Sequence, residues 1–584
     1  MDNSKRYRDL KYKIPEQSQA WRIYGKGMEN FGDKNGSGKR HPSLIPIPEP
    51  KDDEILVRSD AVGLCFSDTK IIKLGPDHPR LKGRNMKEEP VIPGHEVALT
   101  IVKAGKKWKK RYKPGQKYII QADVYYKGRI SSYGYVIPGG LSQYGILGTE
   151  VLEGDAGSYL IPIKNKNICY SQAALVEPWA CVVAAYRIKH RDGIKPDGSL
   201  LLLGNGKDEK EWSFDNLFQN RAPKSVCSIR LGKKTKTSLL STLQNKTVSI
   251  SSNEDNIETA KEHFTEGFDD IIILGDINEE ILTKAADSMC PYGIMNYMAG
   301  NTHTQMINID VGKIHYDRIS FIGSLDNDVN QPYTGNLDYS LKGDSILLLG
   351  AGGPMGQMHI HLAIERDPPP EVVIATDIAK ERLNALESLF RKRAEQRGIR
   401  FTSLNPKEFR SQDEYRNTIL KNNNKKLFDY VICLAAIPAV IEEASSYLAE
   451  RSILNIFAGV SKGTLVNLNI KDVVTKTVKW IGHSGSGIED MEYALRMVES
   501  GELNTNISVA GVSGINDVWN GIEAVRTGLF PGKIVIYPQI EHMDLITIGD
   551  LKKRYPKVGA YLGKDDRWTE EAERQLFDDM LNLR

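Results

Sequence analysis

One pattern of alternating apolar strands and helical segments occurs twice in this chain, and this repeat constrains the fold more than any other feature. The segment FDDIIILG, beginning at residue 268, corresponds to FDYVICLA, beginning at residue 428. Farther along, Gly300 corresponds to Gly459 and Gly323 to Gly482, and the offset is 159 residues in both pairs. Alternating β and α segments are typical of parallel, doubly wound sheets. The repeat therefore predicts two such α/β domains in tandem.

The second copy contains a glycine turn suited to a dinucleotide. The segment ILLLGAGGPMG reads as a strand, a tight turn and the start of a helix. Its glycines permit close approach of a pyrophosphate to the helix N-terminus and close packing of the helix, as in a Rossmann domain. The spacing is one residue longer than the commonest form, and Gly353 offers an alternative register. The predicted cofactor-binding residues of this turn are Gly350, Gly352, Gly353, Pro354, Met355 and Gly356.

The strand that follows this turn selects the cofactor. The segment EVVIATD ends at Asp377. A carboxylate there can accept hydrogen bonds from both ribose hydroxyls and repels a 2′-phosphate. NAD is therefore favoured over NADP, and a role for Asp377 as the N-cap of the next helix is an alternative that does not exclude the first.

The first copy is predicted to be a degenerate Rossmann domain. It keeps Gly204 and Gly206 but has no third glycine. Asp208 and Glu209 stand where phosphates would lie, and acidic side chains repel a pyrophosphate. The next strand ends at Arg230 instead of an acid.

Residues 21–190 have a different texture, rich in glycine, proline and short alternating runs, which predicts a β-barrel domain. Three motifs stand out there: GLCFSD at 63–68, IPGHE at 92–96 and LVEPWAC at 175–181. Catalytic zinc takes three protein ligands from cysteine, histidine and carboxylate side chains and leaves one position open. Cys65 and His95 supply two of them, and Glu96 or Glu177 supplies the third.

In this order, and followed by a Rossmann unit, these motifs resemble those of the medium-chain, zinc-dependent alcohol dehydrogenase superfamily. Within it the polyol and sugar dehydrogenases are most similar, including sorbitol dehydrogenase, threonine dehydrogenase and sorbose-1-phosphate reductase. The resemblance covers about 21–190, the GroES-like catalytic domain, and 342–540. It implies that Cys65 and His95 bind zinc, that Glu96 is a ligand in some members, that Glu177 is the third ligand or holds the zinc-bound water, that Ser67 relays the substrate proton, and that Asp68 orients the imidazole.

The chain departs from this family in three respects. Residues 122–150 contain no cysteine, so one catalytic zinc and no structural zinc are predicted. The segment between Asp68 and His95 is long and basic; it is interpreted as a solvated loop, with phosphate or acidic-sugar binding as the alternative. The family has one Rossmann domain where this chain has two. The basic residues in question are His78, Arg80, Lys82 and Arg84.

His315 and Tyr316 of the first copy have no titratable counterparts in the second, where Val474 and Thr475 stand. We interpret them as a structural pair in preference to a functional one. The predicted domains are an N-terminal arm (1–20), the GroES-like zinc domain (21–190), the degenerate Rossmann-like domain (191–341), the NAD-binding Rossmann domain with the return to the catalytic domain (342–540) and a C-terminal helical extension (541–584).

Charge and cysteine usage exclude several classes of protein. The net charge of +3 gives no strong field for nucleic acid or membrane surfaces. The six cysteines are scattered, which is typical of a reducing compartment. The N-terminus lacks the apolar centre of a signal peptide, and no apolar run approaches the roughly 18–20 residues that span a bilayer. We expect a cytoplasmic protein, and the resemblance implies a homo-oligomer, a dimer or tetramer.

Together these features predict an oxidoreductase that transfers a hydride between NAD and a secondary alcohol of a polyol, sugar or sugar derivative. Two alternatives use the same parts. One is a lyase or epimerase that retains NAD and oxidises the sugar transiently. The other is an inactive protein that senses a nucleotide or acts as a scaffold.

Overall fold

The computed structural model describes residues 15–581, apart from 34–39, 208–209, 220, 244–248, 252–256 and 336–337. The chain divides into two compact units. The β-rich unit contains Met1–Ala184 and Gly485–Arg584, and the parallel-sheet unit contains Ala185–Ser484. Asp208 and Glu209, which the sequence placed near the phosphates, lie outside the described residues.

The strands expected in the first third of the chain are present, with β3 and β4 buried over most of their length. The strands are β1 (Gln17–Ala20), β2 (Ser43–Pro46), β3 (Ile55–Gly63), β4 (Glu96–Ala104), β5 (Lys117–Ile120), β6 (Tyr125–Tyr126), β7 (Arg129–Ile130), β8 (Tyr144–Leu147) and β9 (Leu160–Pro162). The helices are α1 (Phe66–Leu74), α2 (Thr149–Leu152), α3 (Tyr170–Ala174) and α4 (Val176–Ala185).

The first parallel sheet has the strand order β12-β11-β10-β13-β14-β16. Its strands, with the neighbouring β15, are β10 (Ser199–Gly204), β11 (Ser225–Ile229), β12 (Ser249–Ser251), β13 (Phe268–Leu274), β14 (Met289–Met298), β15 (Met306–Asp310) and β16 (Ser320–Ser324). The helices are α5 (Lys233–Leu243), α6 (Ile257–His263), α7 (Glu279–Asp287), α8 (Val311–Asp317) and α9 (Gln331–Thr334). The described residues between β10 and β11 contain no α-helix.

The second parallel sheet has the corresponding order, β19-β18-β17-β20-β21-β23. Its strands, with the neighbouring β22, are β17 (Ser345–Leu349), β18 (Val372–Thr376), β19 (Arg400–Leu404), β20 (Phe428–Cys433), β21 (Leu448–Ile456), β22 (Leu465–Asn469) and β23 (Lys479–Ile481). The helices are α10 (Pro354–Glu365), α11 (Lys380–Gln396), α12 (Gln412–Asn422), α13 (Pro438–Ser445) and α14 (Ile470–Thr475). Here α10 follows the first strand directly.

The two sheets, which we call the first repeat (199–324) and the second repeat (345–481), begin with the same contact. Ser199 donates its hydroxyl to Asp269 and accepts from the Asp269 amide. Ser345 and Asp429 make the same two hydrogen bonds. In both repeats the contact joins the start of the central strand to its neighbour, and the strands around it are buried on both faces, as expected for parallel sheets.

The chain then returns to the β-rich unit. Its last elements are α15 (Ile488–Ser500), β24 (Val509–Gly514), α16 (Val518–Thr527), β25 (Lys533–Tyr537), β26 (Ile546–Thr547), α17 (Leu551–Arg554), α18 (Pro556–Gly559) and α19 (Glu570–Leu581). They complete an eight-stranded sheet, β26-β24-β25-β3-β4-β5-β9, with β8 also paired to β3.

The C-terminal helix α19 packs on the β-rich unit through buried Leu576 and Phe577. Its Glu573 is fully buried and accepts hydrogen bonds from the amides of Tyr170 and Ser171 at the start of α3. A carboxylate at a helix N-terminus is stabilised by the helix dipole. Across the described residues, no helix combines the length and apolarity needed to cross a membrane.

Candidate metal and cofactor sites

Cys65 is fixed at the start of α1 by a capping box. Its sulfur accepts from the Ser67 amide at 3.5 Å, and the Asp68 carboxylate accepts from the Cys65 amide at 3.0 Å. This reciprocal arrangement satisfies amides that the first turn of a helix otherwise leaves without partners. The Ser67 hydroxyl lies 3.5 Å from the same sulfur. The GLCFSD motif therefore places a thiol, a hydroxyl and a carboxylate around one helix start.

His95 enters the same site from the other side of a glycine turn. Gly94 has a φ of 94°, in the left-handed region that favours glycine. Its amide donates to Asp68 Oδ1, which also lies 3.5 Å from His95 Nδ1. Asp68 thus contacts both the helix bearing Cys65 and the turn bearing His95, as a carboxylate that orients a ligating imidazole would.

Among the described residues, Cys65, His95 and Glu96 form the one group that can hold a metal ion. One ligand atom from each lies within 4.8 Å of the others. Burial lowers the pKa of His95, but the adjacent Cys65 and Asp68 outweigh this effect and raise the pKa well above its usual value. Glu96 Oε2 is buried and accepts no hydrogen bond within the described chain. A thiolate, an imidazole and a partly unsatisfied carboxylate fit a zinc ion.

The other Glu96 oxygen is held by a lysine that the motifs did not indicate. Lys533, at the start of β25, donates to Glu96 Oε1 at 2.6 Å and to the Leu64 carbonyl at 2.7 Å. Its side chain is only 5% exposed, so these two acceptors, and not water, stabilise the positive charge of Lys533. Burial lowers the pKa of Lys533, but the nearby Glu96 and Cys65 raise it, and the net result is a raised pKa. A lysine at the edge of the apolar run KIVIY was the only sequence signal for it.

Glu177, the alternative carboxylate ligand, lies on α4 outside that three-residue group. Burial raises its pKa to about 7, and Glu96 contributes to the rise, whereas His95 lowers it. The Cys181 thiol, one turn farther along α4, lies 3.7 Å from Glu177 Oε1. The choice between Glu96 and Glu177 as the third ligand stays a prediction.

The basic segment between Asp68 and His95 is only partly the solvated loop that its composition suggested. Arg80 donates to Asp123 at 2.6 Å and to Ser132 at 3.0 Å, and stacks 5.0 Å above the Tyr135 ring. That ring lies 5.9 Å from the His95 ring, so Arg80 belongs to the surroundings of the metal site. His78 also packs on Tyr135, at 5.4 Å. Arg84 instead binds the backbone carbonyls of 89, 90 and 136, while Lys82 is exposed.

The glycine turn of the second repeat has the open geometry expected of a phosphate cradle. Gly350 has a φ of 75°. Gly353 caps α10, and a Cβ added there would meet no atom within 4 Å. At Gly356 a Cβ would lie 2.0 Å from the Ala351 carbonyl, because the helix packs against the turn. Pro354 and Met355 form the first half-exposed turn of α10, which fits a pyrophosphate at the helix N-terminus.

Asp377 closes this turn. Its Oδ2 accepts from the Gly352 amide at 2.8 Å, and its Oδ1 accepts from the Ala379 amide at 2.9 Å. The N-cap of α11 is Ala379, so the alternative that Asp377 caps this helix is wrong. Asp377 instead braces the glycine turn and keeps lone pairs for a ligand.

His315 and Tyr316 differ in their surroundings. His315 is buried on α8, and its Nδ1 lies 3.2 Å from the Ile456 carbonyl in the second repeat. Tyr316 packs edge-on against it and is 41% exposed. The contact between repeats agrees with the structural interpretation.

Comparison with known proteins supports the assignment of the β-rich unit. Residues 51–153 match the alcohol dehydrogenase GroES-like domain. The chain is 28% identical over 307 residues to L-sorbose 1-phosphate reductase of Klebsiella pneumoniae, covering 49% of this chain and 73% of that protein. It is 22% identical over 544 residues to mannitol-1-phosphate 5-dehydrogenase of Aliivibrio fischeri, covering 91% of this chain and 93% of that protein. Sorbitol dehydrogenase of Bombyx mori is 43% identical over 63 residues, 11% of this chain and 17% of that protein.

These findings confirm the resemblance to the medium-chain, zinc-type alcohol dehydrogenases, and within them to the sorbitol-like enzymes. They support an oxidoreductase with a small-molecule substrate, and do not favour the lyase, epimerase and scaffold alternatives.

Proposed function

We propose that this chain is a zinc- and NAD-dependent dehydrogenase acting on a secondary alcohol of a polyol, a sugar or a sugar derivative. The group of Cys65, His95 and Glu96 carries the proposal, because its ligand atoms converge within 4.8 Å and are largely buried. Cys65, His95 and either Glu96 or Glu177 would hold one zinc ion. Zinc in such a site supplies Lewis-acid polarisation of the substrate hydroxyl.

The surrounding side chains have separate roles in this proposal. Asp68 orients the His95 ring and fixes the start of α1. Ser67, whose hydroxyl lies beside Cys65, passes the substrate proton outward. Glu177 would either ligate the zinc or hold the zinc-bound water.

NAD would occupy the glycine turn of the second repeat, with the pyrophosphate at Gly352 and Gly353 and the ribose at Asp377. The open space at Gly353 and the carboxylate at Asp377 support this placement. Bound there, NAD would supply the acceptor for the hydride that the alcohol loses. We propose that the first repeat does not bind a dinucleotide.

Two of the relatives are named for sugar phosphates, so phosphorylated polyols join free polyols as candidate substrates. The test is a panel of both kinds with NAD and NADP, followed by NADH absorbance and by elemental analysis for zinc. Release of NADH with one zinc per chain is expected. Bound NAD that is never released as NADH would instead favour the lyase or epimerase.

Cys65→Ser tests the metal site directly. We expect loss of zinc and at least about a thousandfold loss of kcat, since the thiolate ligand and the Lewis acid disappear together. Cys290→Ser is the matched control, because Cys290 lies in the parallel-sheet unit against Asp269. Retention of zinc and activity by Cys65→Ser would overturn the proposed site.

A further inference from the structure

Strands β15 and β22 pair across the two repeats in a symmetric way. They are antiparallel, and Asn308 faces Asn467, its own counterpart in the other repeat. Met306 faces Asn469 and Asp310 faces Leu465, so each end of one strand meets the opposite end of its counterpart. A surface that pairs with its own equivalent defines a local two-fold axis, as in the isologous interface of a dimer.

The backbone beside these strands follows the same axis. The Val311 amide donates to the Thr464 carbonyl at 3.0 Å. The Ile470 amide donates to the Gln305 carbonyl, also at 3.0 Å. Each residue of one hydrogen bond is the counterpart of a residue in the other, so α8 and α14 begin with the same contact to the opposite repeat.

The helices also meet equivalent glycines. A Cβ on Gly482 would lie 2.7 Å from His315 Cα, and one on Gly323 would lie 3.0 Å from Val474 Cγ2. His315 and Val474 are counterparts, as are the two glycines. Small residues at both positions let a helix of each repeat approach a strand of the other.

The apolar side of the interface is continuous. Ile307 and Ile309 of β15 and Val466 and Leu468 of β22 are buried in one core together with residues of both sheets. This is the composition of a permanent interface, not of two domains that touch loosely.

An ion pair made by a buried lysine breaks the symmetry. Lys471 of α14, with a side chain only 3% exposed, donates to Asp276 at 2.6 Å and to the Asn301 carbonyl at 2.9 Å. It also lies 5.0 Å above the Tyr297 ring. Its counterpart in α8 is Gly312, where a Cβ would lie 2.4 Å from the Ser461 carbonyl. A lysine is therefore accommodated on one side of the axis only.

This asymmetry selects the partner. In the second repeat the positions corresponding to Asp276 and Asn301 hold alanine (Ala435 or Ala436) and Val460. If two second repeats paired, each Lys471 would be buried without an acid. If two first repeats paired, each Asp276 would face a glycine. Burying Lys471 without an acid is strongly unfavourable, and Asp276, whose side chain is 30% exposed, would lose its cation, so only the first repeat with the second satisfies the interface.

We propose that the first repeat is the built-in partner of the second, and that the two close an intrachain two-fold interface through β15 and β22. This surface is then closed to a second copy of the chain, and any homo-oligomer forms through another surface. The inference is independent of the proposed enzymatic function.

A double-cysteine variant of the full chain tests the pairing. Asn308 and Asn467 lie opposite each other and are not buried, so Asn308→Cys with Asn467→Cys should form a disulfide on mild oxidation. On a non-reducing denaturing gel we expect a band that migrates faster than the reduced monomer and that neither single variant shows. Covalent dimers would show pairing between chains and overturn the proposal, as would failure to cross-link.

A second experiment tests the selecting ion pair. Lys471→Met should lower the Tm by about 5 °C, because Asp276 loses its buried partner. Adding Asp276→Asn should restore part of the loss, since the uncompensated charge is removed while the amide oxygen can still accept from the Gly300 amide. Lys462→Met is the control, because its pair with Asp317 also joins the repeats but its side chain is 56% exposed. Equal effects of the two lysine variants, or no rescue, would contradict the selection argument.

Discussion

The two repeats share a sheet order and the serine–aspartate contact at its centre, but they differ where the first strand ends. In the second repeat α10 begins directly after the glycine turn. In the first repeat the described residues between β10 and β11 contain no α-helix, and Trp212 and Phe214 fill an apolar cluster instead. The sheet depends on apolar packing that both sequences supply. A phosphate cradle needs a helix N-terminus and open backbone, which the described residues of the second repeat supply and those of the first do not.

The same contrast continues at the carboxyl edge of the next strand. Asp377 of the second repeat braces the glycine turn, whereas Arg230 occupies the corresponding strand end of the first. An arginine lacks the acceptor that a ribose hydroxyl requires. The two repeats therefore share the same core, but the residues at the ends of their strands differ in charge and hydrogen-bonding groups.

Gly353→Val should have the largest effect on the proposed difference in NAD binding between the two repeats. Its Cβ position is open and its φ is −86°, so the fold should tolerate valine while the cradle is blocked. We expect at least about a hundredfold weaker NAD binding, measured by calorimetry, with an unchanged Tm. Lys207→Val, at the corresponding turn position of the first repeat, is the control and should change NAD affinity less than about twofold. Equal losses would mean that both repeats bind the cofactor.

The two repeats should also differ in how their stability depends on pH. Helix α10 of the second repeat buries a histidine, and the described residues of the first repeat include no counterpart of this helix. His359 is 0% exposed and contacts the Tyr186 hydroxyl, and burial lowers its pKa to about 3. An unfolded imidazole titrates near 6.5. The unfolded chain therefore binds the extra proton, and the free energy of unfolding falls as the pH drops below about 6.5.

Near a pH of about 5, this one group should cost about 2 kcal/mol of stability. Denaturant titrations at neutral and acidic pH measure the effect. His359→Gln should flatten the dependence by that amount while lowering stability at neutral pH. An unchanged slope would show that His359 is not the titrating group.

Asp377→Asn should have the smallest effect. The amide can still accept from Gly352, but its lost charge weakens the ribose contact and the repulsion of a 2′-phosphate. We expect about tenfold weaker NAD binding and a smaller preference over NADP, measured as the ratio of kcat/KM values. Arg230→Gln is its counterpart control and should leave both constants unchanged. An unchanged preference for NAD over NADP would show that Asp377 does not select the cofactor.

Much of the metal site was predictable because its parts are local. GLCFSD forms its own capping box, and IPGHE is a glycine turn entering a strand, so Cys65, Asp68 and His95 are positioned by short-range geometry. Lys533 was not predictable, since it reaches Glu96 across 437 residues of sequence through the pairing of β25 with β3. The composition around Arg80 indicates a solvated loop, because its partner Asp123 is 43 residues away and leaves no local signal.

The amino-acid sequence by itself determined the repeat, the glycine turn and the motifs of the candidate metal site, because periodicity and turn chemistry act over a few residues. Only the tertiary structure showed how the two copies pair with each other. The symmetric register of β15 and β22, and the burial of Lys471 against Asp276, depend on two segments folding and then meeting. Such long-range contacts leave no local pattern, because each side chain satisfies its charge with a partner far along the chain.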